Sequence, residues 1–206
     1  MIRTIFFDFG NVVAHFDHGR AIAKLRQYTD IQRGELELAL ALYGNPLEDE
    51  YERGRITTAE YVRLAKLAGR LDCSDEIFLA AFVDIFTANA EVCELIPRLK
   101  PRYRLALASN TNEAHYAKFT SQFAEVLSHF DALCPSFHAG HRKPEASYFA
   151  YCQRFAKAEP KECLFIDDLA VNVEAAARHG WRTIRYMPGG NLEGQLSELG
   201  VQFDRK

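Results

Sequence analysis

Ile2-Arg3-Thr4-Ile5-Phe6-Phe7-Asp8-Phe9-Gly10-Asn11 sets a short apolar run against an abrupt carboxylate. Runs of this length, rich in β-branched and aromatic residues, read as strands buried on both faces, so Asp8 stands at a strand tip. The same grammar returns at residues 103–108, which stop at Ser109 and Asn110, and at 163–166, which stop at Asp167 and Asp168. Residues 182–186 read as a further strand. Helical patterns separate them: 111–123, then 145–155 with Pro144 at its first position, then 172–179 stopped by Gly180. Strands alternating with helices predict an α/β fold, a three-layer Rossmann-like core around a parallel sheet.

Residues 15–87 depart from that alternation. The stretches 19–28, 34–43, 57–67 and 75–86 read as amphipathic helices with no strand among them, the third capped by Thr57 and the fourth by Ser74. The expected organisation is a core of residues 1–14 and 88–206, interrupted after its first strand by a helical insert, 15–87. Within the insert the Leu/Ala-rich stretch 36–42 reads as its core, and Tyr51 and Arg53 read as residues of a solvated turn.

The chain has 206 residues, 48% of them hydrophobic, with 15 Phe and 9 Tyr, which excludes disorder. Twenty-five Lys and Arg against 28 Asp and Glu give a net charge of −3, and the basic residues are dispersed, so nucleic acid is not the expected partner. No apolar run approaches the length of a signal-peptide core or a membrane span. The five cysteines are odd in number and widely spaced, and read as reduced, mostly buried thiols. These features point to a cytoplasmic protein, a monomer or homodimer, that does not bind membranes. His138 and His141 read as loop residues rather than a metal pair.

In open parallel sheets ligands bind beyond the carboxyl ends of the strands, so polar residues at three strand ends would converge on one crevice. A carboxylate on a rigid strand tip, as at Asp8, can act as a nucleophile or as a hard-metal ligand, or can merely make a turn. Adjacent carboxylates at an enclosed tip, as at Asp167 and Asp168, repel each other, and a divalent cation is the usual way to keep both ionised. Ser109 and Asn110 lead into a helix and suit a phosphate, although either could be only an N-cap. Lys143, at the head of another helix, gains a role from these neighbours as a counter-charge to Asp8 and phosphate.

Phe7-Asp8-Phe9-Gly10-Asn11, Ala108-Ser109-Asn110-Thr111-Asn112, Arg142-Lys143-Pro144 and Asp167-Asp168-Leu169-Ala170-Val171-Asn172 resemble, in order and spacing, the four motifs of the haloacid dehalogenase-like (HAD) hydrolase superfamily. With the turn Glu52-Arg53-Gly54, they are similar to the branch that contains the bacterial α-D-glucose-1-phosphate phosphatase. The helical insert resembles the superfamily's four-helix cap. The resemblance implies a Mg²⁺-dependent phosphomonoester hydrolase acting on a small phosphorylated metabolite, such as a sugar 1-phosphate. Asp8 would attack phosphorus to form an aspartyl-phosphate that water hydrolyses. Asp8, Asp168 and the Gly10 carbonyl would hold the metal, with Asp167 and Asn172 holding metal-bound waters. Ser109, Asn110 and Lys143 would bind the phosphate.

One position departs from the pattern. The superfamily's phosphatases carry a second aspartate two residues after the nucleophile, which protonates the leaving oxygen, and here that residue is Gly10. A positioned general acid is worth roughly 10²–10⁴ in rate. Asp17 or His15 could supply it, with Asp17 preferred although it could also cap a helix. Otherwise the substrate needs little acid help, or the protein is a catalytically weak phosphate binder. The superfamily's metal-independent 2-haloacid dehalogenases, which also lack that aspartate, are the alternative enzyme. The Asp167 and Asp168 pair argues against them.

Overall fold

The structure, a computed structural model, describes residues 1–29 and 34–204. Strand β1 (Thr4–Phe7) leads to a short β2 (Ala14–Phe16). The helices α1 (His18–Leu25), α2 (Glu35–Leu42), α3 (Pro46–Glu52), α4 (Thr58–Ala68) and α5 (Asp75–Phe82) follow, and β3 (Phe86–Ala88) returns to pair with β2. The chain continues through α6 (Ala90–Leu99), β4 (Arg104–Ser109), α7 (Glu113–Gln122), α8 (Ala124–Leu127), β5 (Ala132–Pro135) and α9 (Ser136–Ala139). It ends with α10 (Ala146–Ala156), β6 (Cys163–Asp167), α11 (Ala170–Arg178), β7 (Arg182–Arg185) and α12 (Leu192–Glu198).

The strands β5, β4, β1, β6 and β7 form, in that order, one parallel sheet. Side chains alternate across it. Ile5 and Phe7 pack on one face with Leu105, Leu107, Leu164 and Ile166, while Phe6 packs on the other with Ala106, Ala108 and Phe165. Helices cover both faces, which is why each central strand is an unbroken apolar run. On the second face the Phe6 ring stacks on Trp181 with centroids 4.4 Å apart.

Several elements differ from the sequence-based expectation. Edge strand β5 is only four residues long and half-solvated at its start, so it has no pattern to read, and its closing Pro135 is tolerated because it lies at the sheet's edge. Helix α3 is an addition to the insert, capped by Asn45 with Pro46 in its first turn. Helix α7 starts at Glu113 because the Asn112 side chain, not Ser109 or Asn110, caps it by accepting the His115 N–H. Pro144 precedes α10 rather than opening it, after a cis Lys143–Pro144 peptide in a turn closed by Glu145 N–H on the Arg142 carbonyl. Thr57 and Ser74 cap α4 and α5 as expected.

The insert enters through β2 and leaves through β3, which pair antiparallel with Ala14 opposite Ala88 and Phe16 opposite Phe86. The expected boundaries run through this two-stranded ribbon, whose strands are too short to announce themselves, and residues 30–33 and 205–206 of the expected units lie outside the described residues. In α2 only one face is core: Leu38 and Leu42 are buried, whereas Leu36 and Leu40 are exposed. His138 lies on the short helix α9, not in a loop. All five cysteines are free thiols, three buried and two half-buried. No helix among the described residues is long and apolar enough to cross a membrane.

Candidate active site

The parallel register sets Phe7 level with Leu107 and with Ile166, so Asp8, Ser109 and Asp167 emerge at one edge of the sheet. Asp8 Oδ1 accepts the Phe9 N–H at 2.7 Å and lies 2.7 Å from Lys143 Nζ. The same ammonium reaches Asp167 Oδ2 at 2.7 Å. Lys143 is therefore a buried bridge between two carboxylates, and its backbone is clamped as well. Its N–H donates to Asn110 Oδ1 at 2.8 Å and its carbonyl accepts from Asn110 Nδ2 at 3.0 Å. Asn110 thus spends its side chain on positioning Lys143, while Ser109 Oγ makes only a long 3.4 Å contact with the Asn110 carbonyl.

Asp167 is fully committed. Besides Lys143, it accepts from the Leu169 N–H at 2.9 Å and from Asn172 Nδ2 at 3.0 Å on Oδ1. Asp168 is half-buried and accepts from Asn11 Nδ2 at 3.0 Å. Asn11 holds a positive φ of 57°, which asparagine tolerates better than most residues. Each of Asp8, Asp167 and Asp168 offers a carboxylate oxygen within 4.8 Å of the others.

The charge balance is uneven. Burial pushes the Asp8 carboxyl up, Lys143 pulls it down, and the neighbouring carboxylates Asp167 and Asp168 raise it further. Burial also raises Asp168, against the Asn11 hydrogen bond. On Lys143 burial works downward, but Asp167 and Asp8 outweigh it and hold the ammonium charged. Three carboxylates around one ammonium leave a deficit of positive charge among hard oxygen donors. That donor set fits an oxygen-coordinated divalent cation such as Mg²⁺.

Beside these residues, lined by their chain neighbours Phe9 and Gly10 and by Ser109 and Asn110, lies a cleft of about 110 Å³ between core and insert. Gly10, Ser109 and Asn110 line it from the core, and Phe16, His18, Glu48 and Glu52 from the insert side. A Cβ on Gly10 would sit 2.9 Å from Phe16 Cε1, so the ring fills the space that a side chain at position 10 would need. Asp17 is the N-cap of α1, with Oδ1 accepting the Gly19 N–H at 2.8 Å, and neither it nor His15 is among the cleft's lining residues. His18 stacks on Tyr43 with centroids 3.7 Å apart, and burial lowers its imidazole to about 4.

Sequence reasoning missed Glu48 and took Glu52 only as part of the turn Glu52-Arg53-Gly54, with no place in the site. A signal existed: Asn45 and Pro46 mark a helix start, and carboxylates four apart then share a face. Burial pushes Glu52 up to about 7, Arg142 pulls it down, and Glu48 and Asp49 raise it. Tyr51 and Arg53 are not solvated. Tyr51 is buried with its hydroxyl accepting the Ala114 N–H at 3.1 Å, and Arg53 is 2.5 Å from Glu145 and 2.7 Å from Asp49. They fasten the insert to the core.

A family profile described as haloacid dehalogenase-like hydrolase matches residues 2–180. The chain belongs to that family. It is 25% identical over 209 aligned residues to a D-ribitol-5-phosphate phosphatase of Bacteroides thetaiotaomicron, covering 97% of this chain and 98% of that protein. A solved structure of a HAD-family enzyme from the same organism, in complex with magnesium and inorganic phosphate, superposes with a TM-score of 0.81 at 24% identity, covering 95% of this chain and 99% of that one. The L-2-haloacid dehalogenase of Xanthobacter autotrophicus shares the fold at a TM-score of 0.67 and 21% identity, over 97% of this chain and 83% of that one.

Proposed function

We propose that this HAD-like hydrolase is a Mg²⁺-dependent phosphomonoesterase acting in the cytoplasm on a small phosphorylated polyol or sugar, with sugar 1-phosphates in the candidate class. The observation that carries this reading is the trio Asp8, Asp167 and Asp168 around a single ammonium, whose oxygens lie within 4.8 Å of one another. A metal-free displacement of halide has little use for that carboxylate pair. The full-length likeness to a D-ribitol-5-phosphate phosphatase supports the substrate class. The helical insert, residues 15–87, acts as a cap over the core of 1–14 and 88–206.

Asp8 Oδ1 is held by the Phe9 N–H and Lys143, which leaves Oδ2 to attack phosphorus. The ester P–O bond breaks as the Asp8–phosphorus bond forms, and the departing oxygen takes a proton. Water then attacks phosphorus, the bond to Asp8 breaks, and phosphate leaves. Ser109 donates to a phosphate oxygen, while Asn110 contributes by holding Lys143 in place as the counter-charge. Mg²⁺ held by Asp8, Asp168 and the Gly10 carbonyl would supply positive charge to the phosphoryl oxygens. Asp167 and Asn172, already bonded to each other, suit the orientation of metal-bound water rather than direct ligation. Proton delivery is the role left unfilled: Asp17 could take it only by releasing its cap on α1, a contact worth about 1 kcal/mol.

The reading is tested by screening sugar phosphates, polyol phosphates, nucleotides and phosphoserine for phosphate release, with chloride release from 2-chloropropionate measured in parallel. Phosphate release from a polyol or sugar phosphate is expected. Chloride release with no phosphate release would assign the dehalogenase reaction instead.

A further inference from the structure

An alkyl phosphate leaves as a poor alkoxide unless its oxygen is protonated as the P–O bond breaks. Position 10 is a glycine and offers no donor, and Phe16 Cε1 stands 2.9 Å from where a Cβ would be. The groups on the opposite wall of the cleft are His18, Glu48 and Glu52. His18 is held near 4 by burial and carries no proton to give as an imidazolium at neutral pH. Glu48 Oε2 is taken by the Gly44 N–H at 2.5 Å. Glu52 differs from both: among the described residues its Oε2 has no aligned hydrogen-bond donor, only the Arg142 guanidinium 2.8 Å away.

Its mount is rigid. The Glu52 carbonyl accepts from Ser136 Oγ at 2.6 Å, and Ser136 also bonds Thr111, two residues beyond Ser109. Two residues on, Gly54 has a φ of +66° and lies so close to the Phe137 carbonyl that a Cβ there would sit 2.4 Å from its oxygen. The insert thus holds Glu52 in the wall of the cleft that Gly10, Ser109 and Asn110 line from the core.

We propose that Glu52 is the general acid and base of this enzyme, reaching from the insert to the leaving oxygen in place of the aspartate that Gly10 displaces. This rests on the phosphatase reading above. In the first step the ester P–O electron pair goes to the leaving oxygen, which takes the Glu52 proton. In the second step the Glu52 carboxylate takes a proton from the attacking water, and the Asp8–phosphorus bond breaks, so the carboxyl is restored. A carboxyl poised at about 7 by burial can serve in both directions at neutral pH. Beside burial, the groups that set it are Arg142 from the segment before α10, Glu48 and Asp49 on its own helix, and Lys143, while His18 of α1 and His115 of α7 line the same cleft.

The test compares kcat/KM for p-nitrophenyl phosphate, whose leaving group needs no proton, with that for D-ribitol 5-phosphate or another alkyl phosphate from the screen, using the full chain with Mg²⁺. Glu52→Gln should lower the alkyl ester about 100-fold or more and the aryl ester less than about fivefold. Without any mutation, the alkyl-to-aryl ratio should fall as pH rises from about 6 to about 9, and Glu52→Gln should flatten that fall. Equal loss on both esters, or a pH-independent ratio in the wild type, would mean that Glu52 only anchors Arg142. Leaving-group-dependent loss in Asp17→Asn, which keeps a capping side chain, would move the role to Asp17. A wild type that cleaves neither ester overturns the phosphatase reading, and the inference with it.

Discussion

Lys143 holds Asp8 and Asp167 at equal distance, but it is itself held by Asn110. Asn110→Ala removes both backbone bonds without touching the ammonium's charge. We expect kcat to fall roughly 10- to 100-fold with KM changed less, because misplacing a reacting group by about 1 Å has effects of this size. Steady-state kinetics on any accepted phosphate ester check it, and an unchanged kcat would show that Lys143 is positioned by its two carboxylates alone. Glu52 makes a second prediction through linkage. Its carboxyl moves from an ordinary 4.5 to about 7 on folding, so between those values the native chain retains a proton that the unfolded chain has lost. That contribution lowers stability progressively as pH rises through this window and is constant above it. The melting temperature of Glu52→Gln, relative to wild type, should therefore rise between about pH 5 and about pH 8. A constant difference would contradict the assignment.

At the scale of elements, the site depends on two close approaches. Phe16 on β2 fills the space over Gly10, and Gly54, past the end of α3, lies against the Phe137 carbonyl. Gly54→Ala must both adopt a positive φ and push against backbone, so a loss of about 1–3 kcal/mol is expected from urea unfolding. A change below about 0.5 kcal/mol would show that the turn relaxes at no cost. What the sequence revealed at this scale follows the same physics. β1, β4 and β6 were legible because burial on both faces makes each an unbroken apolar run. β5 and the β2 and β3 ribbon were not, since three or four residues at an edge carry no period. Asp8, Lys143, Asp167 and Asp168 were legible because each stands beside a recognisable strand or helix end. Glu52 stood in the sequence only as part of the turn Glu52-Arg53-Gly54, because the role proposed for it comes from burial against Arg142, which lies 90 positions away in sequence and 2.8 Å away in space.

For the whole molecule, the proposed nucleophile Asp8 and the carboxylates Asp167 and Asp168 come from the ends of β1 and β6, the proposed counter-charge Lys143 from the segment before α10, and the facing wall of the cleft from the insert. The net charge of −3 is compatible with phosphate binding because the affinity is local: one ammonium, one cation and the groups at three strand ends. The most direct test is phosphate release from a polyol or sugar phosphate by the wild type with Mg²⁺, by the wild type in excess EDTA, and by Asp8→Asn. The account predicts release in the first case alone. Undiminished release in EDTA, or from Asp8→Asn, would contradict it.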